Sequence, residues 1–212
     1  MDSSSRGLFC YTLHMRRVVL IDGENLVYGL RQLLGHDGKK ADRAALERFD
    51  FRGLLEEILQ DNLPVQILWF GARLRIYEQN DDLKRKSESA VRQQSFFVND
   101  IQKQKITFIK VGYLRAREVE CGAGHMTWKL TEKGVDVGLA VRMVTEANAD
   151  TELVVVSADT DLLPAIKAAT KLGSKIMHIG YEYRPIASLS REASATRTIT
   201  IPLAIKYVKA QS

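Results

Sequence analysis

The stretch SADTDLLP at residues 157–164 sets Asp159 and Asp161 one residue apart, directly after the apolar run at 153–156. A short, β-branched, uninterrupted run suits a strand buried on both faces of a parallel sheet, so both acids are expected just past its carboxyl end. The order repeats near the start of the chain, where a run at 18–21 ends at Asp22 and Asn25 follows in IDGENL. Asp136 opens the apolar stretch VDVGLAVRMV, where a helix N-terminus favours an anion. Aspartates gathered in one cleft repel each other unless something positive lies among them, and Lys133 is the cation these motifs fix nearby. Oxygen ligands without sulfur or imidazole suit Mg²⁺ or Mn²⁺, and Mg²⁺ commonly takes one or two carboxylates plus water and substrate phosphate. Phosphodiester hydrolysis is the chemistry such an ion serves.

Each acid also has a purely structural reading. Asp161 can cap the helix that follows, with Pro164 in its first turn, where a missing N–H costs little. One cap per helix is enough, so this explains Asp161 and leaves Asp159 to help hold the ion. Asp22 can belong to an Asp-Gly turn feeding a helix capped by Asn25, and Asp136 can be an ordinary acid of a first turn. Glu24 is expected to face solvent.

Elements that position these residues follow from periodicity. Helical spacing is expected after Asp22 through Leu26, Leu30, Leu33 and Leu34, over 51–58, and after Asp161 up to Gly173. Strands are expected at VQILWFG, ITFIKVGYLRA and SKIMHIGY, and VECGAGHMTWKL reads as a hairpin with glycines at its tip. The polar stretch at 79–104 reads as a charged helical insertion with an apolar seam through Leu83, Val91, Phe96, Phe97 and Ile101. Trp69, Phe96 and Phe97 are assigned to the core, and Lys84, Arg85, Lys86 and Arg92 to a solvated face. The tail TITIPLAIKYVKAQS begins with β-branched character. Strands alternating with helices indicate an α/β fold with a mostly parallel sheet, whose ligand site lies beyond the carboxyl strand ends where strand order reverses.

At 212 residues, 45% of them apolar and 27% charged, the chain fits one domain over 16–212. No apolar run approaches a membrane span. A net charge of +5 favours an anionic partner. Cys10 and Cys121 lie far apart, and Cys121 with His125 supplies too few ligands for structural zinc, so a reducing cytoplasm is the expected setting. Residues 1–15 are expected to form a disordered leader, and Met15 is a plausible alternative start.

LIDGENL, EKGVDVGLAV and VVVSADTDLLPAIKAATKLGSKI, in that order, resemble the three motifs of the NYN domain, the LabA-like branch of PIN-like nucleases. The resemblance spans roughly 16–182 and implies a PIN-like three-layer sandwich, a Mg²⁺ or Mn²⁺ site, and RNA as substrate. Carried over by motif position, it assigns Asp22, Asp136, Asp159 and Asp161 to the metal site, and Asn25 to orienting bound water or the first aspartate. Ser157 and Thr160 flank the acids as hydrogen-bonding groups. Lys133, Arg73 and Arg75 are the candidate phosphate contacts. Arg142 stands where the family often has aspartate, about 600° of helix rotation from Asp136 and so off its face. The implied activity is a metal-dependent ribonuclease acting on single-stranded or exposed RNA. The alternative is a non-catalytic module of the same fold that binds RNA or protein, and the seam of the charged helix offers a homo-oligomer interface.

Overall fold

A computed structural model describes residues 15–35, 39–60, 65–120 and 124–208. The expected leader, apart from Met15, and both cysteines lie outside the described residues.

Seven strands form one sheet: β1 (Arg16–Asp22), β2 (Val65–Arg73), β3 (Thr107–Glu120), β4 (Met126–Lys133), β5 (Thr151–Val156), β6 (Lys175–Tyr181) and β7 (Ala195–Ile199), in the order β4-β3-β2-β1-β5-β6-β7. Only β3 with β4 is antiparallel. The helices are α1 (Gly23–Leu33), α2 (Phe51–Leu59), α3 (Asp81–Lys103), α4 (Val135–Glu146), α5 (Leu163–Lys171), α6 (Ala187–Glu192) and α7 (Ile201–Lys206). From central β1 the chain steps outward through β2 and β3, then returns across the sheet through α4 to β5 on β1's other side. The strand order therefore reverses between β1 and β5, where an open α/β sheet leaves a crevice beyond its carboxyl ends.

The central strands are covered on both sides. Val19 and Ile21 of β1, with Val154 and Val156 of β5, join a core that includes residues of α1, α2 and the end of α3. Their neighbours Val18, Leu20, Leu153 and Val155 pack instead with α4, α5 and α6. Alternate side chains thus enter opposite layers, which is why these strands read as unbroken apolar runs. The result is the expected three-layer α/β architecture.

The long charged helix is α3, which connects β2 to β3. Asn80 caps it by accepting from the Leu83 N–H at 2.8 Å, and Asp81 and Asp82 complement the dipole of its first turn. Leu83 and Ile101 are buried, and Phe97 meets Trp69 and Phe51 edge to ring. Phe96 corrects the seam: it is 69% exposed. Consecutive residues on a helix point about 100° apart, so Phe97 takes the core-facing direction and its neighbour cannot share it.

β3 outruns its parallel partner. The ladder with β2 shifts register between Ala72 and Arg73 and ends at Arg73 with Tyr113, and Tyr113 onward pairs with β4 as the expected hairpin. Gly112 (φ 63°) and Gly134 (φ 77°) make the junction possible, since a Cβ on Gly112 would lie 2.1 Å from the Lys133 carbonyl oxygen. Through Leu114 the hairpin joins a small apolar cluster with Tyr77 and with Leu83 from the start of α3. Helix α6 was not signalled by periodicity, and the tail divides into β7 and α7.

Gly29 lets α1 sit directly on Tyr181, because a Cβ there would lie 2.4 Å from the ring. Gly29→Ala gains helix propensity of about 1 kcal/mol but must displace a fully buried ring. Overpacking prevails, and chemical denaturation is expected to show a net loss of about 1–2 kcal/mol.

A candidate acidic centre at the reversal of strand order

The centre is built on Asp22, the last residue of β1. Its Oδ1 accepts the Asn25 N–H at 3.3 Å, and its Oδ2 accepts the Ser157 hydroxyl at 3.1 Å. Ser157, immediately after β5, uses the same Oγ to accept the Asp159 N–H at 3.1 Å. Asp159 Oδ1 in turn accepts the Asp161 N–H at 2.9 Å. One serine hydroxyl therefore links the acid that ends β1 to the loop that carries the acids after β5.

Asn25 locks the same junction. Its side-chain oxygen accepts the Ala158 N–H at 2.9 Å and the Tyr181 hydroxyl at 3.1 Å. From β6, His178 Nε2 lies 2.8 Å from the Ser157 carbonyl oxygen. A carbonyl only accepts, so Nε2 carries the proton in that contact. Burial pushes the His178 pKa down, keeping the ring neutral. Tyr181 and His178 thus brace the site from beneath. Their apolar strand context in SKIMHIGY gave no sign of this, since a buried polar group on a strand looks like any core residue until its partner is known.

Two capping assignments are corrected. Asp22 itself, rather than Asn25, caps α1. Asp159, rather than Asp161, caps the short 3-10 turn Thr160–Leu162, and α5 then begins without a side-chain cap, with Pro164 in its first turn. The extra turn before the α-helix moves the capping position back by two residues and leaves Asp161 and Thr160 exposed.

Electrostatically, Asp22 is an acid held against its preference. Burial pushes its pKa up to about 6, the Asn25 and Ser157 hydrogen bonds oppose the rise, and Asp159 and Glu24 add to it. Glu132 on β4, which the sequence reading missed, is pushed up to about 7, chiefly by burial and next by Glu24. Glu24 is exposed as expected, and it pairs with Arg43 at 2.8 Å. Among the described residues, the lysines and arginines that form ion pairs do so with other acids than Asp22, Asp136, Asp159 and Asp161.

The other candidates lie further out. Asp136 is half-buried in the first turn of α4, whose N-cap is Gly134, and α4 packs against the 160–162 turn. Lys133 and Arg73 are exposed at the β3–β4 junction and the end of β2. Arg75 is also exposed and lies over the Tyr77 ring at 4.5 Å. Arg142 forms an ion pair with Glu146. Among the described residues, no three carboxylate, imidazole or thiol side chains converge as a ready-made metal cage. The Asp22–Ser157–Asp159 arrangement still fits Mg²⁺ or Mn²⁺. Its donors are all oxygen, Mg²⁺ commonly takes only one or two carboxylates, and a cation beside Asp22 would offset the cost of its buried charge.

A family model described as NYN domain matches residues 16–202. No curated protein matches the chain. Among solved structures, a protein of unknown function from Vibrio parahaemolyticus is similar in fold, with a TM-score of 0.56 at 15% identity, over 94% of this chain and 96% of that one. Among the described residues, no helix is long and apolar enough to cross a membrane.

A carboxyl whose folded pKa lies above its unfolded value of 3.8 contributes stability below that value and loses it as pH rises through about 6. Asp22→Asn is therefore expected to stabilise the fold in EDTA at pH 7.5 by about 1–3 kcal/mol and to gain little at pH 4. Denaturant titrations at the two pH values check this. Equal effects at both would remove burial of charge as the cause.

Proposed function

This chain belongs to the NYN domain family, and we propose that it is a divalent-metal-dependent endoribonuclease of the LabA-like branch, hydrolysing single-stranded or exposed RNA in the cytoplasm. The observation that carries this reading is the buried Asp22 carboxyl, tied through the Ser157 hydroxyl to the Asp159 loop where strand order reverses.

Asp22 and Asp159 would hold Mg²⁺ or Mn²⁺, with Asp161 and Asp136 facing it from the loop and from α4. Once bound, the ion supplies polarisation of the phosphoryl oxygen and neutralisation of the leaving oxygen. The chain's own groups do the positioning. Ser157 fixes one Asp22 oxygen by donating to it, and the Asn25 N–H fixes the other. The Asn25 side chain, held by Ala158 and Tyr181, keeps the β1 and β5 ends in register. Lys133, Arg73 and Arg75 would attract the phosphate backbone from outside, and exposed Thr160 offers a hydroxyl to it.

The test is cleavage of an end-labelled, mixed-sequence single-stranded RNA in Mg²⁺, Mn²⁺ or EDTA. Cutting is expected only with metal. Asp22→Asn and Asp159→Asn are each expected to lose more than the roughly 10–100-fold that an outer-shell partner costs. As a readout independent of turnover, Mn²⁺ is expected to raise the melting temperature of the native chain and not that of Asp22→Asn. Metal-independent behaviour in both assays would leave the family's fold serving as a binding module.

A further inference from the structure

One cavity next to the acidic centre takes no part in the proposed metal site. It encloses about 500 Å³, within the range of small-molecule sites. Its walls come from the carboxyl end of β2, from α3 and from the β3–β4 hairpin, with Trp69, Phe97, Phe108 and Leu130 supplying apolar surface. Phe70 also lines it and is the cross-strand partner of Asp22, whose charge is felt by Glu132 in the cavity wall, so the cavity neighbours the acid.

Among the polar side chains that line it, Glu132 and Gln94 come from different elements and are pinned by one backbone unit. Glu132 Oε2 accepts the Ala72 N–H at 3.3 Å, and Gln94 Nε2 donates to the Ala72 carbonyl at 3.0 Å. Ala72 is available because the β2–β3 ladder shifts register there. Each side chain spends one atom on this anchor. Glu132 Oε1 and Gln94 Oε1 make no other hydrogen bond among the described residues. Above pH 7, where Glu132 is ionised, a carboxylate oxygen and an amide oxygen, both acceptors, are thereby held in a cavity with aromatic walls.

We propose that this cavity receives one base of the bound RNA strand, and that its paired acceptors select guanine, whose N1–H and N2 amino group present adjoining donors. The proposal rests on the ribonuclease reading for its substrate class and adds a base preference to it. Guanine would lie among Trp69, Phe97 and Phe108, and its donors would meet Glu132 and Gln94. Adenine and cytosine each set one amino donor beside a ring-nitrogen acceptor, and uracil offers N3–H alone between two carbonyl acceptors, so each satisfies only one of the two acceptors. Unpaired acceptors in such a site are what gives discrimination.

Isothermal titration of the full chain in EDTA at pH 8.5, where Glu132 is ionised, with the four nucleoside 5′-monophosphates tests this without any cleavage. Guanosine monophosphate is expected to bind at least about tenfold tighter than the other three, the scale of one hydrogen bond to a charged group. Glu132→Gln and Gln94→Ala, each checked for a native circular dichroism spectrum, are expected to reduce the preference about tenfold or more. Gln94 is half-buried on a helix, so its variant keeps the test open if Glu132→Gln does not fold. Binding of none of the four, equal binding of all four, or a preference unchanged in a folded variant would overturn the base pocket. Cleavage of mixed-sequence RNA in metal is scored separately. Cutting with no guanine preference beside the cut would reject the pocket and keep the nuclease, whereas guanosine binding without cutting would do the reverse.

Discussion

A carboxylate that is costly to bury lies at the centre of this molecule, and the surrounding groups serve to keep Asp22 in place. Burial pushes its proton affinity up, and the neighbouring Asp159 and Glu24 add to the effect. Left to itself, such a group would turn toward water. It stays because both oxygens are engaged, by the Asn25 N–H and the Ser157 hydroxyl, and because the ends of β1, β5 and β6 are tied by Asn25, Ser157, Tyr181 and His178. The fold accepts local instability at one point and restrains it with hydrogen bonds from three adjacent strands. That pattern is common where a protein keeps a site ready for a ligand instead of optimising it for stability.

The sheet explains why this point and no other. Parallel strands buried on both faces leave their side chains no access to solvent except at the ends. Crossovers run in both directions from β1, so the helices separate beyond β1 and β5. Asp22 and the 157–161 loop share that gap because they end neighbouring strands paired from Arg16 with Thr151 to Ile21 with Val156.

Much of this was legible in the sequence. The apolar runs at 18–21 and 153–156 gave the central strands, and the acids at their ends marked the carboxyl edge, because a doubly buried strand has so distinctive a composition. The three ordered motifs pointed to the family. What stayed hidden depended on partners distant in the chain. Tyr181 lies 156 residues from the Asn25 oxygen it binds. Glu132 looked like one more charge on a hairpin because its Ala72 partner is made available only by an irregular ladder. The capping errors had a more local cause: a 3-10 turn inserted before α5 shifts the cap from Asp161 to Asp159, and propensity rules do not resolve such short turns. Phe96 failed because a pattern of apolar letters does not say which of two adjacent residues faces inward.

The β3–β4 hairpin at the edge of the sheet packs through Leu114 in a small cluster with Tyr77 and Leu83, distinct from the two main cores. A segment with separate packing can open and close as its own cooperative unit, with amide protection below that of the strands beneath the acids. It can also accumulate substitutions without transmitting strain to β1 and β5. Substitutions at Tyr77, Leu83 or Leu114 therefore fall on packing separate from that of β1 and β5, and the edge of the sheet can vary while the strands beneath the acids keep their geometry.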